Sequence, residues 1–281
     1  MENLPAPVTG VFVFLFGLAI GSFLNVVIHR LPLGESLAFP GSHCPRCNAP
    51  IKPYDNIPVM SYLLLGGKCR SCQVRISPLY PAVELLVGVL FVICYIRDGW
   101  TLALLADAVF VSLIVPLVFI DLYHMLLLNV ITYPGLVVLL VLRTLSPDPW
   151  IVAHTPRFGM LRSSPDWMVS LAASVIGALV GGGSLWLVRE LYFRIRRVEG
   201  MGLGDVKMML MVGAFLGWQL TVFTIFLAAL LGSIVGVSLV KLRGSSMKTE
   251  IPFGVFLGPA GIIAMFLGRQ IWDAYTNQFH P

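Results

Sequence analysis

Four cysteines and two aspartates are the residues here whose types and spacing could do chemistry. His43-Cys44-Pro45-Arg46-Cys47 is followed, after 21 intervening residues, by Cys69-Arg70-Ser71-Cys72. Two C-x2-C pairs can close four thiolates, Cys44, Cys47, Cys69 and Cys72, around a tetrahedral zinc ion. Four thiolates leave no open coordination position, so such an ion would be structural. Without a metal, the same residues read as disulfides or as free thiols. The aspartates are Asp121, in Phe119-Ile120-Asp121-Leu122, and Asp205, closing Gly202-Leu203-Gly204-Asp205. An acid within an apolar span costs about 2.5–3.5 kcal/mol at the span centre, so each is a functional candidate. Two neighbouring carboxylates share a proton. One can then act as base on a water while the other donates a proton to a scissile carbonyl. Taken singly, Asp205 also reads as a first-turn acid of a helix, and Asp121 as an acid at a span end.

Those residues must be positioned by membrane spans. Of 281 residues, 57% are hydrophobic and 12% charged, against about 25% charged in a soluble domain. Mean hydropathy is +0.87. This pattern predicts an all-α polytopic membrane protein with a small cysteine loop of zinc-knuckle type. About eight spans are expected, near 9–28, 79–97, 101–120, 129–145, 168–189, 206–217, 220–241 and 254–272. The first apolar run is preceded by Glu2 and no basic residue, so it reads as a retained span, not a leader.

With the N-terminus outside, the loops at 29–78, 189–207 and 241–250 hold 14 of the 19 basic residues, Lys248 among them. Arg97, Arg143, Arg157, Arg162 and Arg269 fall outside. That asymmetry places the cysteine loop and both aspartates at the cytoplasmic face, where thiols stay reduced. Aromatic–basic interleaving is absent, so the net charge of +5 does not indicate a nucleic-acid partner. Segment 146–167 reads as an outer loop with little structure. No internal repeat is evident. Asp107 lies 14 residues before Asp121, roughly 21 Å along a helix, too far to join it. Glu84 opens the second span, where an ion pair with a loop arginine is one reading. Cys94 reads as a core residue and His43 as a bystander.

The chain resembles the bacterial type 4 prepilin leader peptidases, bifunctional peptidase–N-methyltransferases. The resemblance runs through Gly21-Ser22-Phe23-Leu24-Asn25-Val26-Val27 with Arg30 and Pro32, and through the double C-x2-C loop and Tyr80-Pro81-x-x-Glu84. It continues in Phe119-Ile120-Asp121-Leu122 and Gly200-Met201-Gly202-Leu203-Gly204-Asp205-x-Lys207. It implies Asp121 and Asp205 as the catalytic pair, and prepilins or pseudopilins cleaved after a short basic leader at the cytoplasmic face of a bacterial inner membrane. It also implies methylation of the new N-terminus from S-adenosylmethionine. Residues 1–100 would then serve methylation and 101–281 proteolysis. Asn25, His29, Arg30 and Glu84 are the candidates for holding cofactor, with close helix packing as their other reading. Lys207 either snorkels to the interface or meets an acidic group of the substrate. One departure is visible: Leu127-Leu128-Asn129 stands where the family commonly reads Leu-Pro-Asp. A presenilin-like protease or a proton-coupled transporter are the competing readings.

Overall fold

The computed structural model describes residues 6–157, 161, 163–198, 200–243 and 252–279. Arg162 and Lys248, and most of the loop expected at 241–250, lie outside the described residues. The described chain is helical: α1 (Ala6–Arg30), α2 (Met60–Leu64), α3 (Leu79–Asp98), α4 (Leu102–His124), α5 (Asn129–Leu145), α6 (Pro149–His154), α7 (Asp166–Arg196), α8 (Leu203–Arg243) and α9 (Gly254–Phe279). Six of these, α1, α3, α4, α7, α8 and α9, are long and apolar enough to cross a membrane, and α5 is a shorter apolar helix of 17 residues. The spans expected at 206–217 and 220–241 lie in one helix, α8, whose backbone leaves helical geometry at Gly217 (φ 73°, ψ 171°). Segment 146–167 is not the structureless loop expected. It contains α6, started by Asp148, whose carboxylate accepts the amides of Trp150 and Ile151.

The chain forms two compact units, residues 1–116 and 117–281, with the division inside α4. In the first unit α1 packs on α3 through small residues. A Cβ added at Gly17 would lie 2.8 Å from Gly88 Cα, and one at Gly21 would lie 2.7 Å from Glu84 Cα. Such close approach maximises dispersion where lipid offers no hydrophobic drive for helix association.

The loop between α1 and α3 is built on two matching turns, a repeat that its differing residues conceal. In each, the first cysteine amide donates to the residue five on (Cys44 N–H to Ala49 O, Cys69 N–H to Val74 O). In each, the residue after the second cysteine donates back to the first (Asn48 N–H to Cys44 O, Gln73 N–H to Cys69 O). Asn48 (φ 55°) and Gln73 (φ 58°) both take the left-handed conformation that closes the turn. Each turn is sealed by one antiparallel bridge, His43 with Pro50 and Lys68 with Arg75.

The second unit is organised by α7 against α8. Gly177 faces the backbone of Gly213 and Gly217, and Gly181 faces the carbonyl of Met209. A side chain at any of these positions would force the helices apart, whereas Gly183 of the same helix faces open space. Gly177→Ala is therefore expected to lower the thermal unfolding midpoint in detergent, at a cost of about 1–3 kcal/mol. Gly183→Ala should leave it unchanged or raise it slightly. Equal midpoints for the two variants would contradict this packing.

Candidate functional site: two buried aspartates and a four-cysteine cluster

Asp121 lies in the last turn of α4, which ends one turn on with Met125 in left-handed geometry (φ 52°). Asp205 lies in the first turn of α8. Both are buried, with 4% and 7% of their surface exposed. The two segments meet closely, since a Cβ on Gly204 would fall 2.7 Å from Leu127 Cβ. Glycine at 204 is thus what lets the start of α8 reach the turn after α4.

A third element enters the site that the sequence reading did not find. Helix α9 begins at Gly254 against the same two acids. A Cβ there would lie 2.6 Å from Asp121 Oδ2. The amides of Gly254 and Val255 face Asp121, and those of Gly202 and Gly254 face Asp205. The carboxylates are close enough for the charge of one to act on the other. The amides approach without completing the site, because Asp121 Oδ2 remains buried with no hydrogen-bond partner among the described residues. A helix start carries partial positive charge, which favours one negative charge on the pair. Pro252-Phe253-Gly254 ahead of an apolar run was the available signal, since glycine marks close backbone approach.

Lys207 is half-buried beside the pair. Its Nζ donates to Asn129 Oδ1 (2.9 Å) and sits 5.5 Å above the Tyr133 ring. Asn129, the position of the departure from the family pattern, thus holds the lysine through a neutral amide oxygen where an aspartate would offer a carboxylate.

Asp107 belongs elsewhere. It is fully buried and forms an ion pair with Arg97.

In the first unit, Asn25, His29 and Glu84 gather around the start of α3, whereas Arg30 turns into the loop. Asn25 Nδ2 donates to Tyr80 O (3.0 Å), and the His29 ring stacks on Tyr80 with centroids 5.0 Å apart. Glu84 does not pair with an arginine. Its Oε2 accepts the amide of Val59 at 2.7 Å. Val59 is the residue before α2 and is held at φ 60°, a strained position for a β-branched side chain. Arg30 donates to Ser36 O (3.0 Å) and Gly41 O (3.2 Å).

The cysteines converge as their spacing suggests. The sulfurs of Cys44, Cys47, Cys69 and Cys72 all lie within 4.8 Å of one another, and all four are free thiols. Cys44 and Cys72 approach to 3.8 Å. The disulfide reading is not what the structure contains. Backbone N–H groups of Cys47 and Arg46 draw the Cys44 thiol down to about 6. At Cys72 the Val74 amide favours the thiolate, but burial and the neighbouring sulfurs outweigh it and push the thiol up to about 11. An ion entering the cluster must therefore displace protons. His43 is not part of the set, since its Nδ1 bonds Gly41 O at 3.1 Å.

With this geometry in view, comparison with known proteins is decisive. Residues 15–97 match the Bacterial Peptidase A24 N-terminal domain, and residues 108–237 match the Type IV leader peptidase family. A prepilin leader peptidase/N-methyltransferase of Pseudomonas aeruginosa is 37% identical, over 94% of this chain and 92% of its own length. This chain belongs to the type IV leader peptidase family. Other relatives bearing the same name include a protein of Aeromonas hydrophila, 38% identical over 95% of this chain and 93% of its own. One of Myxococcus xanthus is 38% identical over 87% of this chain and 67% of its own. No solved structure matches the chain. Within this leader peptidase, the purified chain is expected to carry one metal ion by elemental analysis. A Cys44→Ser, Cys72→Ser variant should carry none, and full metal content in that variant would remove the cluster as the site.

Proposed function

We propose that the chain cleaves the leader from prepilins and pseudopilins with Asp121 and Asp205, then methylates the new N-terminus. The supporting observation is the meeting of two buried carboxylates, from α4 and α8, at the start of α9. In the resting pair one proton is shared. The ionised carboxylate takes a proton from a bound water as its oxygen attacks the scissile carbonyl. The protonated partner donates to that carbonyl oxygen. Collapse of the tetrahedral species breaks the C–N bond, and the proton gained from water passes to the departing amine. The partnerless Oδ2 of Asp121 supplies a buried acceptor for the water. Gly202, where an added Cβ would meet nothing closer than 3.8 Å, leaves room for an extended backbone beside the acids. Lys207, held by a neutral amide and a ring, is placed to meet an acidic group on the substrate.

The orientation we adopt puts this site and the cysteine loop at the cytoplasmic face of a bacterial inner membrane, following the basic residues. Zinc is the ion we assign to the cluster. A Zn–S length of about 2.3 Å gives a tetrahedron with edges of about 3.8 Å, the separation of Cys44 and Cys72. Zinc would tie the two loop turns together and supply no catalysis.

For the second activity we assign residues 1–100, with S-adenosylmethionine as methyl donor and the proteolytic site in 101–281. Asn25, Arg30 and Glu84 are committed to the chain's own backbone. Together with His29 they fit the frame of a donor site, holding α1, α3 and the loop in register, better than a set of open ligands.

Asp121→Asn and Asp205→Asn should each lower prepilin cleavage by at least about a thousandfold in detergent, with folding intact. Near-normal cleavage by either variant would remove the dyad, and a transporter reading would then have to account for the acids. In the wild type with S-adenosylmethionine, mass spectrometry of the cleaved product should show the added mass of one methyl group. Its absence would leave a peptidase alone.

A further inference from the structure

A buried arginine lies far along α5 from any role assigned above. Arg143 is 3% exposed in an apolar helix. An intramembrane cation has to be partnered, and its partners show its purpose. Its Nε donates to the carbonyl of Phe215 at 3.0 Å, and its guanidinium lies 3.9 Å above the Phe215 ring. Its Nη1 faces Asp148 Oδ2 at 3.7 Å. Its own carbonyl accepts the Ser170 hydroxyl of α7 at 2.7 Å.

Phe215 stands two residues before the break in α8. In an unbroken helix its carbonyl would receive the amide of residue 219. At the break, Gly217 has φ and ψ open essentially to glycine alone. The chain services this break from outside the helix. Arg143 meets the Phe215 carbonyl, and the side chain of Gln219 donates to His154 O at 2.7 Å. Asp148, buried at 6% exposure, binds α9 as well through an ion pair with Arg269. Asp148 thus joins α5, the cap of α6 and α9, while Arg143 joins α5 to α8.

The two helices held here, α8 and α9, are the ones whose starts carry Asp205 and Gly254. We propose that Arg143 is a positioning residue for the dyad. With Asp148 and Arg269 it fixes the break in α8 and the far part of α9, and so the angle at which Asp205 and the Gly254 amide meet Asp121. The proposal rests on the aspartate pair being the catalytic site. Because Arg143 touches no substrate, its loss would misplace an acid without removing a binding contact. That predicts a fall in kcat with KM preserved.

The test uses the full chain labelled with fluorotryptophan. Trp218 follows the break and lies edge-on to Trp272 of α9, with centroids 5.9 Å apart, so its fluorine resonance, assigned through Trp218→Phe, reports the clamp without reference to activity. Arg143→Gln should shift or broaden that resonance and lower kcat for prepilin at least about tenfold, with KM within about twofold. Arg143→Lys, which keeps the positive charge that faces Asp148 and the Phe215 ring, should recover part of kcat. Asp205→Asn should abolish cleavage and leave the resonance in place. Should Arg143→Gln fail to fold, Asp148→Asn carries the same expectations. An unchanged resonance, an unchanged kcat or a loss confined to KM would overturn the proposal. Retained cleavage in Asp205→Asn would instead overturn the dyad and leave the resonance to judge the clamp alone.

Discussion

Hydrocarbon offers no hydrogen bonds, so a chain that crosses it must find a partner for each polar group within itself. Much of this structure is a set of answers to that constraint. Thr221 and Thr224 return their hydroxyls to carbonyls one turn back, at Gly217 and Leu220. Asp107 is matched with Arg97, and Arg143 with Asp148 and a backbone carbonyl. The break in α8 is tolerated because side chains from neighbouring helices meet it. Asp121 Oδ2, Gln219 Oε1 and Arg269 Nε stay without a hydrogen-bond partner among the described residues, and of these Asp121 Oδ2 is the one at the candidate site. An unmatched oxygen in such surroundings is costly unless a substrate, a water or a proton is meant to occupy it.

Helix positions followed from residue type with little ambiguity. The runs at 79–97, 101–120 and 129–145 are apolar and bounded by proline, glycine or charge, and α3, α4 and α5 begin and end within a few residues of them. Where local signals ran out, tertiary contacts decided. The expected spans stopped at 217 and resumed at 220, but composition does not distinguish a loop between two helices from a break within one. The break depends on φ at Gly217 and on Arg143, 72 residues away in the chain. The helix α6 was invisible because six residues carry too little periodicity, although Asp148-Pro149 is a sound start signal.

The site was legible in part for the same reason. Spacing brought the four cysteines together, since a knuckle is local geometry. The matching of its two turns was hidden, because what repeats is backbone shape at Asn48 and Gln73 and not residue type. Asp121 and Asp205 were legible as costly residues at the ends of apolar runs. The part played by Gly254 was not, because a backbone amide leaves no mark in residue type. Glu84 was readable as a buried acid, but its partner, the amide of Val59, depends on how the loop folds back.

The four outer-side arginines among the described residues share a property with an electrical consequence. Arg97, Arg143, Arg157 and Arg269 each lie against an aspartate, respectively Asp107, Asp148, Asp166 and Asp148. A matched pair carries almost no net charge through the membrane field, whereas an unmatched one couples to it by about 2.3 kcal/mol per 100 mV. In the proposed orientation Arg97 and Arg157 are therefore nearly silent to the membrane potential, whereas Arg143 and Arg269 share one aspartate and keep a net positive charge between them. The basic loops on the other side, even with Arg70 and Arg194 paired to Asp55 and Glu190, carry the larger excess of positive charge, so the potential acts on the chain mainly from that side.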